Sequence, residues 1–247
     1  MINSKKQKQP TNKAQDEQQL QVVNLSKSYG KKKVIIDISL NVKRGEVIGL
    51  LGPNGCGKTT CFCMLIGLLK PNSGKIMING MDVTSLSMHK RCKLGIGYLP
   101  QDGSIFRDLS VADNIMAALE FREDLKKSQR QEELERLLKD FALQGIRESK
   151  GLILSGGERR RTEMARLLAM NPSFALLDEP FAGVDPIAVD SIKEMVTGLV
   201  NKGIGVIIND HNVASTLSLC DRSYVIGEGV IIAEGTAKEI VNNKKVR

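Results

Sequence analysis

The chain has 247 residues, 41% of them hydrophobic and 26% charged, the balance of a globular protein able to bury a sizeable core. Its net charge of +8, with only 4% aromatics and no Trp, fits solvated basic ends better than a base-stacking nucleic-acid surface. No apolar run approaches the roughly 18 residues of a membrane span, and no apolar segment opens the chain as a secretory signal would, so a cytosolic protein is expected.

Residues 1–19 are rich in Lys, Gln and Asn, carry a net +2, and read as a disordered basic extension. With Lys244, Lys245 and Arg247 at the other end, they suit attraction to an anionic membrane face. Structure is expected from Leu20 onward as one domain over 20–247. Strands are predicted over 33–42 and 46–51, the second short, apolar and buried.

After the second strand comes Gly52-Pro53-Asn54-Gly55-Cys56-Gly57-Lys58-Thr59, then Thr60. Glycines at this spacing let backbone amides approach phosphate oxygens, Lys58 reaches the β- and γ-phosphates, and the Thr59 hydroxyl is placed to ligate Mg²⁺. A nucleoside triphosphate is the ligand expected, and Tyr29, ahead of Gly30, is placed to stack on its base. A helix carrying residues 61–69 follows and should stop at Pro71-Asn72-Ser73-Gly74. Five cysteines (Cys56, Cys61, Cys63, Cys92, Cys220) show no zinc spacing and read as reduced thiols. Cys56, at the mouth of a helix, is expected to be reactive, with alkylation inactivating the protein and ATP protecting it.

Further strands are predicted over 75–78 and 95–99. Gln101, just past the second, is placed to sense Mg²⁺ or an attacking water. Residues 108–141 then show helical periodicity, broken near 124–128, with Ser110 as N-cap. The segment 102–157 reads as a helical subdomain inserted into an α/β core. Ser155-Gly156-Gly157-Glu158 opens the next helix, as a capping box, an anion site or both. Arg159-Arg160-Arg161 behind it reads as a solvated basic face.

Strand–helix alternation resumes with a strand over 174–177. Asp178 ends it at the edge where α/β sheets bind ligands and is assigned to Mg²⁺. Glu179 is suited to deprotonate the attacking water. A helix is predicted over 186–200, a strand over 205–208, and a helix from Asn212, with strands over 223–226 and 230–233 closing the fold. His211 falls on the same edge as Asp178 and is assigned a hydrogen bond to the γ-phosphate. His89 is read as structural.

The phosphate loop, the Leu154-Ser155-Gly156-Gly157-Glu158 signature, Asp178-Glu179 and His211 together resemble the ATP-binding cassette (ABC) ATPases, over residues 20–241. The resemblance implies an α/β fold, an ABC-type P-loop NTPase core (RecA-like) with an N-terminal antiparallel β subdomain and an inserted helical subdomain. It implies that Ser155, Gly156 and Gly157 contact the γ-phosphate held by a second chain, with Asp185 in the loop crossing between the two, and hence a homodimer. Within the family, Gly95-Ile96-Gly97-Tyr98-Leu99-Pro100-Gln101, Ser104-Ile105-Phe106-Arg107 and Asp178-Glu179-Pro180-Phe181-Ala182-Gly183-Val184-Asp185-Pro186 are similar to the ATPases of lipopolysaccharide export. That likeness implies two membrane subunits of the LptF/LptG type, peripheral attachment to the cytoplasmic face of the inner membrane, and a partner groove at Phe106 and Arg107. An importer ATPase of the branched-chain amino-acid type, or a soluble non-transport ABC ATPase, are the alternatives.

Overall fold

The structure, a computed structural model, describes residues 18–182, 186–244 and 246. The elements run β1 (Gln19–Tyr29), β2 (Lys32–Lys43), β3 (Val47–Leu51), α1 (Lys58–Ile66), β4 (Ser73–Ile78), β5 (Met81–Asp82), α2 (Met88–Lys93) and β6 (Ile96–Leu99). There follow α3 (Val111–Leu119), α4 (Lys127–Asp140), α5 (Gly156–Ala169), β7 (Phe174–Asp178), α6 (Pro186–Asn201), β8 (Gly205–Asn209), α7 (Val213–Leu219), β9 (Arg222–Gly227), β10 (Val230–Gly235) and α8 (Ala237–Asn242).

The strands form one sheet in the order β5-β4-β1-β2-β10-β9-β3-β8-β7-β6. From β5 to β2 pairing is antiparallel, whereas β9, β3, β8, β7 and β6 are mutually parallel. The sequence shows why the two halves differ. β1 and β2 alternate, burying Leu20, Val22 and Leu25 on one strand and Ile35, Ile38, Leu40 and Val42 on the other, as sheets with one wet face do. β3, β7 and β8 are buried at every position, because helices cover both faces of a parallel sheet.

Two apolar layers result. On one side α3, α4, α5 and α6 pack on Val47, Leu99, Ala175, Leu177, Val206 and Ile208. On the other, α1 and the antiparallel strands enclose Ile48, Leu50, Leu176 and Ile207. Between β6 and β7 the chain leaves the sheet through α3, α4, two short 3₁₀ turns and α5. Ser110 caps α3 by accepting from the Asp113 amide at 3.0 Å.

Several expectations need correction. α1 ends at Ile66, not near residue 69; Gly67 terminates it with its amide on the Cys63 and Met64 carbonyls, ahead of the Pro71–Gly74 turn. β1, β5, α2 and α8 were not foreseen: β5, α2 and α8 are short, at two, six and six residues, below the length at which periodicity is informative, whereas β1, of 11 residues, pairs with β2 through repeated register shifts that break its alternation. The N-terminal strand starts at Gln19, and most of the expected extension lies outside the described residues.

Candidate active site

Four adjacent parallel strands, β6, β7, β8 and β3, point their carboxyl ends to one edge, with Leu50, Asn209 and Asp178 in register across three of them. The chain leaving each strand carries the polar residues. Past β3 comes the phosphate loop, past β7 Glu179, past β8 Asp210 and His211, and past β6 Pro100 and Gln101. This is the ligand edge of an α/β sheet.

The loop from Gly52 to Gly57 joins β3 to the N-terminus of α1. Two of its glycines are required by the geometry. Gly57 has φ 108°, and a Cβ there would lie 2.4 Å from Ile35 Cδ1; Gly52 has φ 147°, and a Cβ would meet the Ile226 carbonyl oxygen at 2.3 Å. Both are conformations that L side chains rarely adopt. The Lys58 ammonium, nearly buried, donates to the Gly52 carbonyl at 2.7 Å and the Pro53 carbonyl at 3.1 Å. Pro53, Asn54, Gly55 and Thr59 are exposed and Thr60 is half-buried at the mouth of α1. Cys56, expected to be a reactive thiol, is only 7% exposed and packs within the apolar layer beneath the loop. An alkylating reagent would reach it only when the loop opens.

Asp178 is 4% exposed. Its Oδ1 accepts from Asn209 Nδ2 at 2.6 Å and its Oδ2 from the Tyr98 hydroxyl at 3.3 Å. Burial raises its pKa above the ordinary aspartate value, against the lowering effect of those two hydrogen bonds. Glu179 has φ 44°, a left-handed conformation that costs a non-glycine residue about 1–3 kcal/mol. Its amide is anchored to the Asn209 carbonyl at 2.7 Å. One oxygen, Oε2, accepts from Gln101 Nε2 at 2.7 Å and stands 3.4 Å from His211 Nδ1. Gln101, Glu179 and His211, from three different strand ends, thus converge on one atom. Asp210, 1% exposed, accepts from the Phe181 amide at 2.8 Å and the Asn212 amide at 2.7 Å, fixing the loops that carry Glu179 and His211.

Ser155 is the N-cap of α5 in a reciprocal capping box. Its hydroxyl and amide both donate to Glu158 Oε2, at 2.7 and 2.9 Å, and Oγ faces the Glu158 amide at 3.4 Å. Gly156 and Gly157 form the first turn behind it. Asp185 lies outside the described residues. The three arginines are not the solvated face expected. Arg160, with a side chain 12% exposed, pairs with Glu163 at 3.1 Å and reaches the Pro100 carbonyl at 3.4 Å. Glu163 also takes the Ser104 amide at 2.7 Å. The helix opened by Ser155 is therefore bolted to the segment carrying Gln101. Tyr29 ends β1, 51% exposed, with the Lys27 ammonium 5.6 Å from its ring.

Beside β6, the outermost strand, lies a groove of about 670 Å³ lined by Met88, Cys92, Tyr98, Phe106, Phe121 and Arg166 among others. Phe106 and Phe121 are 50% and 67% exposed, so apolar rings stand open there. The cation meeting the Phe106 ring is Arg166, at 4.6 Å; Arg107 is exposed and outside the lining. His89, expected to be structural, is exposed on α2 and lines the groove. Asn114, fully buried, holds the Phe106 backbone at both its amide (2.8 Å) and its carbonyl (3.0 Å).

Tyr98, Asn209, Asp210, Glu163 and Asn114 were missed. Asn209 and Asp210 had a signal, since they directly precede His211 after an apolar strand. Tyr98 sits inside a strand and Asn114 and Glu163 inside helices, where nothing in a single sequence separates a buried polar residue from an exposed one.

The family model for ABC transporters matches residues 35–182. The lipopolysaccharide export system ATP-binding protein LptB of Haemophilus influenzae is 54% identical over 224 residues, 91% of this chain and 93% of the relative. LptB of Escherichia coli K12 is 51% identical over the same shares. A crystal structure of the ADP conformation of an ATP-binding cassette of an ABC transporter superposes with a TM-score of 0.82 at 29% identity, over 92% of this chain and 96% of that one. With the phosphate loop, the signature helix and the Glu179 cluster on one sheet edge, these matches place the chain in the ABC transporter ATP-binding family.

Proposed function

We propose that this chain is the ATP-hydrolysing subunit that powers extraction and export of lipopolysaccharide from the inner membrane. The observation that carries this reading is the 54% identity to LptB across nine-tenths of both chains. The partners proposed are a second copy of the chain and two membrane subunits of the LptF/LptG type. Attachment to the cytoplasmic membrane face is through those subunits, since no described helix is long and apolar enough to cross a membrane. Affinity purification from detergent-solubilised membranes tests it: an LptF/LptG-type pair should co-purify, whereas importer permeases would overturn the export reading.

In the proposed mechanism the loop from Gly52 to Thr60 cradles the phosphates of ATP, and Lys58 exchanges its carbonyl partners for β- and γ-phosphate oxygens. Tyr29 stacks on the adenine. The donor set suits Mg²⁺: an exposed Thr59 hydroxyl, a hydrogen-bonded Asp178 carboxylate and the Gln101 amide are hard oxygen ligands, which this ion takes alongside phosphates and waters. When bound, the ion neutralises charge on the β- and γ-phosphates. Glu179 Oε2, turned toward His211 and Gln101, accepts the proton of the attacking water, and His211 donates to the γ-phosphate. Ser155, Gly156 and Gly157 close the site from the second chain, and Asp185 contributes across the same interface. The helical segment over 102–157 is proposed as the subdomain that couples this site to the membrane subunits.

Two substitutions separate chemistry from coupling. Glu179→Gln should retain ATP binding while turnover falls by about 10²–10⁴-fold, the usual contribution of a general base; near-normal turnover would refute the assignment. Phe106→Asp should leave the ATPase activity of the free protein intact and abolish co-purification of the membrane subunits, because the open ring is the apolar anchor of a helix-in-groove contact.

A further inference from the structure

The groove and the carboxylate edge share one side chain. Tyr98 is on β6, the outermost strand, and belongs to the groove lining. Its hydroxyl donates to Asp178 Oδ2 at 3.3 Å. The other oxygen of the same carboxylate is held by Asn209 at 2.6 Å, a fully buried residue on β8 with no part in the groove. Asp178 therefore has one support that nothing outside the sheet can move and one that reaches the open surface. Among the described residues β6 has a paired neighbour on one side, β7, so its far edge gives way more readily than an inner strand. The groove rests on packed side chains and the strand backbone, and an occupant pressing on this wall must shift the hydroxyl relative to Asp178 or lock it in place.

We propose that Tyr98 is a positioning residue that transmits groove occupancy to the Asp178 carboxylate, setting how well that carboxylate is aimed at the divalent cation of the nucleotide. The proposal rests on the groove being the seat of a membrane subunit. A long hydrogen bond to a carboxylate has a modest effect, on the order of three- to tenfold in an equilibrium. That is enough to bias a cycle without stopping it, as expected of a coupling device rather than a catalytic group.

The test uses Mn²⁺ as the cation, read by electron paramagnetic resonance in the presence of a non-hydrolysable ATP analogue. It compares the full-length protein alone with the detergent-purified complex containing both membrane subunits. In the free protein Tyr98→Phe should weaken Mn²⁺ binding about three- to tenfold, with the thermal midpoint lowered by no more than a few degrees. In the wild type, assembly should shift Mn²⁺ affinity by a similar factor; in Tyr98→Phe that shift should vanish. Asn209→Ala removes the other support of the same carboxylate and should weaken Mn²⁺ binding while keeping the assembly-dependent shift. Equal shifts in wild type and Tyr98→Phe would overturn the proposal, as would absence of any shift in the wild type or its loss in Asn209→Ala. Assembly surviving Phe106→Asp would instead refute the groove as the docking seat, leaving the free-protein comparison to decide the role of Tyr98 at Asp178.

Discussion

Asp178 sits where its charge is disfavoured. Burial is the largest cause of its raised pKa; Glu179 and Asp210 add to it, and the Asn209 and Tyr98 hydrogen bonds oppose it. A folded-state pKa above the unfolded one means that the folded chain holds the proton longer as pH rises. The contribution of this group to stability is thus greatest below the unfolded pKa and is lost as pH climbs through the folded one. At neutral pH the bare carboxylate weakens the fold, and a bound cation would offset that. Asp178→Asn should therefore raise the thermal midpoint of the nucleotide-free protein at pH 7, by an amount that shrinks toward acid pH. Its ATPase activity should fall by about 10²-fold or more, as when a preorganised electrostatic stabiliser is removed. A scanning-fluorimetry series from pH 5 to 8 (roughly the range of maximal stability) checks it; a lowered midpoint, or a gain independent of pH, would count against the account. Glu179 next door adds backbone strain through its positive φ, held by the Asn209 carbonyl, so both acidic residues depend on the end of β8.

At the scale of elements, α2 joins the groove to the phosphate-loop helix. Met88, His89, Cys92 and Lys93 line the groove, while Arg91, 1% exposed, turns inward. Its guanidinium donates to the Met64 and Leu65 carbonyls of α1 at 2.5 and 2.7 Å, to Leu86 at 3.1 Å and to Thr84 at 2.9 Å. The Met64 carbonyl also takes the Gly67 amide at 3.3 Å, whereas that of Leu65, in the last turn of α1, depends on the guanidinium. Arg91→Met removes the donor shared by these four carbonyls and leaves that of Leu65 without one, which should cost about 3 kcal/mol, a fall of roughly 6–12 °C in a domain of this size. Arg91→Lys should not restore the midpoint, because a point-like ammonium cannot reproduce the planar fork; full rescue would refute the fork as the cause. Nothing in His89-Lys90-Arg91-Cys92-Lys93 hints at this, since one buried cation among several charges looks like surface. Strands β2, β3, β7 and β8, the phosphate loop and the order of Asp178, Glu179 and His211 were legible because apolar periodicity and glycine spacing are local properties; β1 was not, because register shifts interrupt its alternation. Arg160, Glu163 and Tyr98 were not, because their partners lie 60, 59 and 80 residues away in the chain.

At the scale of the whole molecule, one chain carries both a phosphate loop and a signature helix, yet among the described residues Ser155 bonds within its own helix, to Glu158 and Arg159. The first-turn amides of Gly156 and Gly157 point at an anion brought from elsewhere, for which the Ser155 hydroxyl can exchange its Glu158 partner. If that anion is the γ-phosphate on a second copy, each site combines Lys58 and Glu179 of one chain with Ser155 of the other. Complementation tests this directly. Ser155→Arg spoils the signature alone and Glu179→Gln the base alone, so each homodimer should be inactive. Mixed dimers contain one site with intact Lys58 and Glu179 from the first chain and intact Ser155 from the second. With random pairing, and with sites that act independently, an equimolar mixture should recover about a quarter of the wild-type rate per chain, as two-fold symmetry with two equivalent sites requires. If each signature served the loop of its own chain, no mixture would contain an intact site, and activity would stay at the level of the separate variants.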